Sequence, residues 1–186
     1  MSAKNHFRIS IDFLLIHSSL CLIGIILASI FVFFSSDELK GEFFEKFRTY
    51  YEFSEIGNVI VLFLQEYLWI LLIVFIYRLP YGRLVNFLIL IYKGFGIGVV
   101  SSIACGQLGA EGLKYILLLV FPPNFFYIIS QCIASQIANE IKSLTRGQHN
   151  KGNGVGNRIY IICLLLTSLG ALIESFYVPW MYNIIF

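Results

Sequence analysis

Charge is scarce in this sequence. Asp, Glu, Lys and Arg make up only 13% of its 186 residues, against roughly a quarter in a soluble domain. The net charge is +2, and the 13 basic residues form no clustered stripe, which excludes an electrostatic footprint for DNA or RNA. Histidine is also rare. His6, His17 and His149 fall in an N-terminal tail, an apolar segment and a late loop. No HExxH and no Cys/His cluster at zinc spacing accompanies them. Cys21, Cys105, Cys132 and Cys163 form no CxxC and sit within or at the end of apolar segments. There they read as small packing residues rather than a disulfide framework. GxSxG is missing, and Gly94-Phe95-Gly96-Ile97-Gly98 has glycines without the acid of a GxGD site. Ser10, Asp12 and His17 are neighbours in sequence, but proximity alone makes no triad. Gly152, Gly154 and Gly156 are followed by no GK[ST] and make no phosphate loop. The expectation is a non-enzymatic chain with no metal and no cofactor.

What the chain has instead is apolar bulk. It is 58% hydrophobic, with 18 Phe and a mean hydropathy of +0.80. A single soluble core cannot absorb that surplus, whereas lipid can. A spanning helix needs about 20 apolar residues. Five stretches qualify: 11–36, 58–77, 84–105, 113–138 and 159–180. The first is too long for a signal-peptide core and is expected to remain as an anchor. The predicted fold is therefore an all-α, polytopic transmembrane bundle forming a single domain. With the N-terminus cytoplasmic, the inner basic residues are Lys4, Arg8, Arg78, Arg83, Lys142, Arg146, Lys151 and Arg158. The outer ones are Lys40, Lys46, Arg48 and Lys114. This bias predicts a cytoplasmic N-terminus and an outside C-terminus.

Two connections have character. Residues 37–57 are acidic, and Phe43, Phe47, Tyr50 or Tyr51, and Ser54 recur at helical spacing. That pattern predicts an amphipathic helix on the outer membrane surface. Residues 139–158 end in a Gly- and Asn-rich run and read as a flexible cytoplasmic loop.

Polar residues inside spans are costly, about 2.5–3.5 kcal/mol for a mid-membrane charge on insertion scales. Lys93 is the clearest case, with Asn86 seven residues earlier on the same helical face. A structural ion pair is the first expectation for Lys93, with snorkelling or a transport or binding role as the alternatives, and the expected partner is Glu174 in the fifth span, with Glu66 in the second as the alternative. Beside Lys93, the small residues Gly94, Gly98 and Ser102 repeat every four positions, a stripe that lets another helix approach closely. The fourth span contains Phe121-Pro122-Pro123-Asn124. Two prolines remove two backbone donors and clash with the preceding turn, so a broken or kinked helix is expected. After them, Asn124, Tyr127, Gln131 and Ser135 form one polar stripe, suited to interhelical hydrogen bonds or a polar groove.

Several short elements occur together in a fixed order. Tyr92-Lys93-Gly94 with Gly98 comes first, then Gln107-Leu108-Gly109 with Gly112. Phe121-Pro122-Pro123-Asn124 follows, and last comes Leu172-Ile173-Glu174-Ser175-Phe176-Tyr177-Val178-Pro179. Between Leu84 and Phe186 this order resembles the stage II sporulation protein M family, also called DUF95. Pro123 stands where that family often has Gln or His. The resemblance implies a bacterial cell-membrane scaffold holding two peptidoglycan hydrolases, the sporulation proteins D and P, during septal thinning and engulfment. If such partners are present, their membrane segments are expected to dock on the close-packing Gly94/Gly98/Ser102 face, and their extracellular portions to meet the acidic outer surface. Similar short proteins accompany circular bacteriocins, where the implied role is maturation, export or immunity beside an ATP-binding transport subunit.

Overall fold

The computed structural model describes residues 11–52, 58–77, 79–147 and 153–185. All its regular elements among them are helical: α1 (Ile11–Phe34), α2 (Asp37–Glu52), α3 (Asn58–Ile76), α4 (Gly82–Leu108), α5 (Ala110–Tyr115), α6 (Phe121–Gly147), α7 (Asn153–Leu172) and α8 (Val178–Ile185). Two π-helical segments, Ile116–Val120 and Ile173–Tyr177, join α5 to α6 and α7 to α8 without a gap. Five helical stretches are long and apolar enough to cross a membrane: Ile11–Phe34, Val59–Ile76, Gly82–Leu108, Ala110–Asn139 and Tyr160–Ile184. Helix is the form that satisfies every backbone donor and acceptor within one segment, which hydrocarbon demands.

The bundle turns its large apolar side chains outward. Leu15, Leu22, Ile26 and Phe33 of α1 are exposed, as are Leu68 and Phe75 of α3 and Leu165 of α7. Small and polar residues face inward. On α1 the buried positions are His17, Cys21, Gly24, Ala28 and Val32, a stripe at spacings of three and four. This stripe meets α4. A Cβ on Gly94 would collide with the backbone of Cys21, and one on Gly24 with the backbone carbonyl of Ile91. A Cβ on Gly98 would lie 2.7 Å from Ile25 Cα and Ala28 Cβ. At the far end of the seam the Ser102 and Ser29 hydroxyls are 2.9 Å apart. The Gly94/Gly98/Ser102 face is thus filled from within the chain by α1. The expected docking of a partner's span on it is corrected, because the backbone approach leaves no room there.

Two apolar cores lie at different heights. One joins Ile70, Ile73, Ile76 and Tyr77 of the α3 end to Ile89, Ile133, Ala134, Ile137 and Cys163. The other joins Ala104, Tyr115, Leu119 and Val120 to Val178 and Tyr182. The turn between α4 and α5 is a single residue, Gly109, at φ 58°, a left-handed backbone that disfavours other residues. Its N–H donates to the Cys105 carbonyl at 3.0 Å. Gly112 then packs so closely on the backbone of Ala104 that a side chain would not fit.

The acidic 37–57 segment is helical over α2, as its periodicity anticipates. The Leu39 N–H lies 3.4 Å from the Ser36 hydroxyl, which caps the helix, and Asp37 and Glu38 occupy the positive first turn. Phe43 and Phe44 line an apolar cleft with Val99, Val100, Ile103, Ala104 and Tyr115, which seats α2 against the end of α4. Ser54 lies outside the described residues, as do the side chains of Phe47, Tyr50 and Tyr51. The 139–158 loop is shorter than expected. Helix α6 runs on to Gly147 and α7 begins at Asn153, because Ala138 to Leu144 contains good helix formers that continue the ladder beyond the apolar span.

Gly94→Ala is expected to lower the thermal unfolding temperature in detergent, by an overpacking cost of about 1–3 kcal/mol. Gly96→Ala, where a Cβ meets nothing within 4 Å, is expected to leave it unchanged or raised. Equal behaviour of the two variants would contradict the α1–α4 seam.

Candidate functional site

Between the two apolar cores lies a polar layer, organised by α6. Every residue from Ser130 to Ala138 is buried, which makes α6 the axis of the bundle. The interruption at Pro122-Pro123 takes a specific form. The helix is not cut into separate halves; its α ladder widens into the π segment Ile116–Val120, and the Phe121 N–H reaches the Ile116 carbonyl five residues back. The second π segment repeats the device, with the Val178 N–H on the Ile173 carbonyl, just before Pro179. In both cases the residue four before the proline, Leu118 or Ser175, is the middle of the π segment. A proline ring clashes with that carbonyl, and the wider turn relieves the clash.

The polar stripe on α6 then addresses three different helices. Asn124 turns back on its own helix and donates to the Val120 carbonyl at 2.8 Å. The Tyr127 hydroxyl donates to Glu174 Oε2 at 2.9 Å. Gln131 Nε2 donates to Glu66 Oε2 at 3.1 Å. Ser135 and Asn86 exchange contacts at 3.0 and 3.2 Å, and Asn86 lies 3.4 Å from the Tyr77 hydroxyl. Asn86 is therefore part of a neighbouring hydrogen-bond group and not of an ion pair with Lys93.

Lys93 pairs with Glu66. Its Nζ is 2.5 Å from Glu66 Oε1, and the two side chains are 17% and 10% exposed. The expectation that Glu174 would be the first partner is corrected. The reason is depth. Glu66 stands ten residues before the end of α3, and Lys93 eleven after the start of α4, both about 15 Å of helix rise from that shared turn. Glu174 lies past the end of α7, in the second π segment, and takes the Tyr127 hydroxyl instead. The Lys93 ammonium also sits 5.3 Å from the Trp69 ring, which stabilises the charge where water is scarce. Burial makes such a pair sensitive: removal of one partner costs about 3–5 kcal/mol. Among the described residues, no group of three or more His, Cys, Asp or Glu side chains is arranged to hold a metal ion.

The stage II sporulation protein M family matches residues 4–179. The chain belongs to this family. No curated protein and no solved structure matches it. The family match takes in α1 and α2 as well, which contain none of the short motifs. In this stage II sporulation protein M fold the motif residues have distinct places. Gly94 and Gly98 form the α1 seam, Gly109 and Gly112 the tight turn, Pro122 and Pro179 the two π segments, and Lys93 and Glu174 the polar layer.

Some members of the layer escaped the sequence. Trp69 and Gly170 are two. A Cβ on Gly170 would lie 2.5 Å from Tyr127 Cε1, so its missing side chain seats the tyrosine that holds Glu174. The spacing of four between Gly170 and Glu174 was an available signal. Ser130, bonded to Thr167 and to the Cys163 carbonyl at 2.9 Å, ties α6 to α7. The α1 stripe of Cys21, Gly24 and Ala28 was legible as small-residue spacing.

Lys93→Met and Glu66→Gln are each expected to destabilise the bundle by about 3–5 kcal/mol, and the double variant to regain much of that loss. Exchange of Lys93 with Glu66 should restore more stability than exchange with Glu174. Thermal unfolding in detergent checks both; better rescue by Glu174 would refute the pairing.

Proposed function

We propose that this chain is a membrane anchor that gathers peptidoglycan hydrolases, the sporulation proteins D and P, for septal thinning and engulfment. The observation that supports this most directly is the family match across residues 4–179. The fold agrees with such a role. Most of its residues are in five membrane-length helices, and its polar groups inside the membrane are spent on holding those helices together. In this scheme the partners break the glycan or peptide bonds, and this chain fixes where they act. The N-terminus is cytoplasmic and the C-terminus outside, in keeping with the distribution of basic residues. The acidic α2 then lies on the outer surface, where the partners' extracellular portions can meet it. Their spans approach the bundle from the lipid side rather than through the α1–α4 seam.

Affinity purification of the full chain from its native membrane in gentle detergent should recover the two hydrolases. Hydrolases truncated to remove their spans should be lost. Recovery of an ATP-binding transport subunit with bacteriocin proteins, in place of hydrolases, would transfer the chain to bacteriocin maturation or export.

Orientation has its own test. Cys105 is exposed near the end of α4, whereas Cys21, Cys132 and Cys163 are buried, and all four are free thiols. A membrane-impermeant maleimide added to intact cells should modify Cys105 alone. Protection of Cys105 until the cells are opened would reverse the topology.

A further inference from the structure

The polar layer is short of one positive charge. Two carboxyls, Glu66 and Glu174, face one ammonium, Lys93. Both oxygens of Glu66 are engaged, one by Lys93 and the other by the Gln131 amide. Glu174 has the Tyr127 hydroxyl on Oε2 and no salt bridge among the described residues. A second acceptor also goes unused: Gln131 is 1% exposed, and its Oε1 is buried with no hydrogen-bond partner. Tyr127 and Gln131 are one turn apart on the same face of α6, the first on Glu174 and the second, through its amide nitrogen, on Glu66. The Ser175 hydroxyl, next to Glu174 in the chain, is likewise buried with no partner among the described residues, and an ionised carboxylate without a cation is expensive in hydrocarbon.

The number of free acceptors decides what can fill the vacancy in charge. Hard metal ions such as calcium take about six to eight oxygens. Here one carboxylate oxygen, one amide oxygen and the Ser175 hydroxyl remain, too few for such an ion. A proton needs a single acceptor, and once bound it supplies the missing donor.

We propose that this layer is an intramembrane proton-binding site, in which Glu174 takes up and releases one proton while Tyr127 positions it. Uptake forms one O–H bond on Glu174 and removes one net negative charge from the layer; no other covalent bond changes. The titratable groups that act on Glu174 are Tyr127 from α6, Glu66 from α3 and Lys93 from α4. On its own side, Tyr177 and the Tyr182 of α8 pack with the apolar core beyond it, and Tyr160 and Cys163 with the core on the other side. The glutamate sits within a π segment, an insertion that recurs at functional positions of helices. This inference goes beyond the anchoring role and does not depend on it.

Infrared difference spectroscopy of the full chain in lipid nanodiscs tests the site. At neutral pH the wild type should show a protonated-carboxyl carbonyl band that shifts in heavy water and disappears on alkalinisation. Glu174→Gln should lose the band while Lys93 and Glu66 remain paired. Lys93→Met should enlarge it, because Glu66 then needs a proton as well; this variant tests the site even if Glu174→Gln does not fold. Absence of the band from the wild type, its persistence in Glu174→Gln, or its displacement by added sodium at constant pH would each overturn the proposal.

Discussion

Helices already dissolved in lipid gain little by hiding apolar surface from one another, since the tails are as apolar as leucine. That constraint governs the arrangement of this protein. Its association must come from close backbone contact and from polar groups that have no better partner. The first is met by the α1–α4 seam, where Gly24, Gly94 and Gly98 remove the side chains that would hold the helices apart. The second is met by the layer in which α6 reaches α7 through Tyr127, α3 through Gln131 and α4 through Ser135. The large residues left over, such as Phe33, Phe75 and Leu165, face outward.

The two devices divide the work by geometry. The seam runs lengthwise and fixes how near α1 and α4 stand. The layer runs crosswise and fixes height, because an ion pair such as Lys93–Glu66 tolerates no vertical slip in a medium that offers no other partner. Above and below it the apolar cores around Leu119 and Ile73 can pack without directional demands. The two π segments belong to the same logic. Prolines sit where α6 and α8 begin, and widening the turn ahead of each keeps the helix continuous within the membrane.

Polar residues at mid-membrane also concentrate whatever chemistry a small bundle can perform. Most of those here are satisfied within the chain, which suits an anchor. Glu174 stands apart, because among the described residues its hydrogen-bond partner is the phenol of Tyr127 and not a cation. The proposed anchoring role and the proposed site for one proton are compatible on this frame, since the layer is internal and the exposed apolar faces lie elsewhere.

Length and hydropathy alone determined the five spans, because a membrane-length apolar run has no other low-energy form. The costly residues were legible for the same reason: Lys93, Glu66, Glu174 and Gln131 stand out from an apolar background. Gly109 and Gly112 stood in the sequence only as members of a short motif, and the structure makes them the tight turn between α4 and α5. Pairing was not legible, because it depends on relative depth and rotation of separate helices. Tertiary structure gave Lys93 to Glu66, and left Glu174 to Tyr127. It also closed the Gly94/Gly98/Ser102 stripe with α1, a choice that periodicity could not make, since a small-residue face fits an internal helix as well as a foreign one. It turned the proline break into a π turn as well, because neighbouring contacts decide whether a strained helix bends, splits or widens.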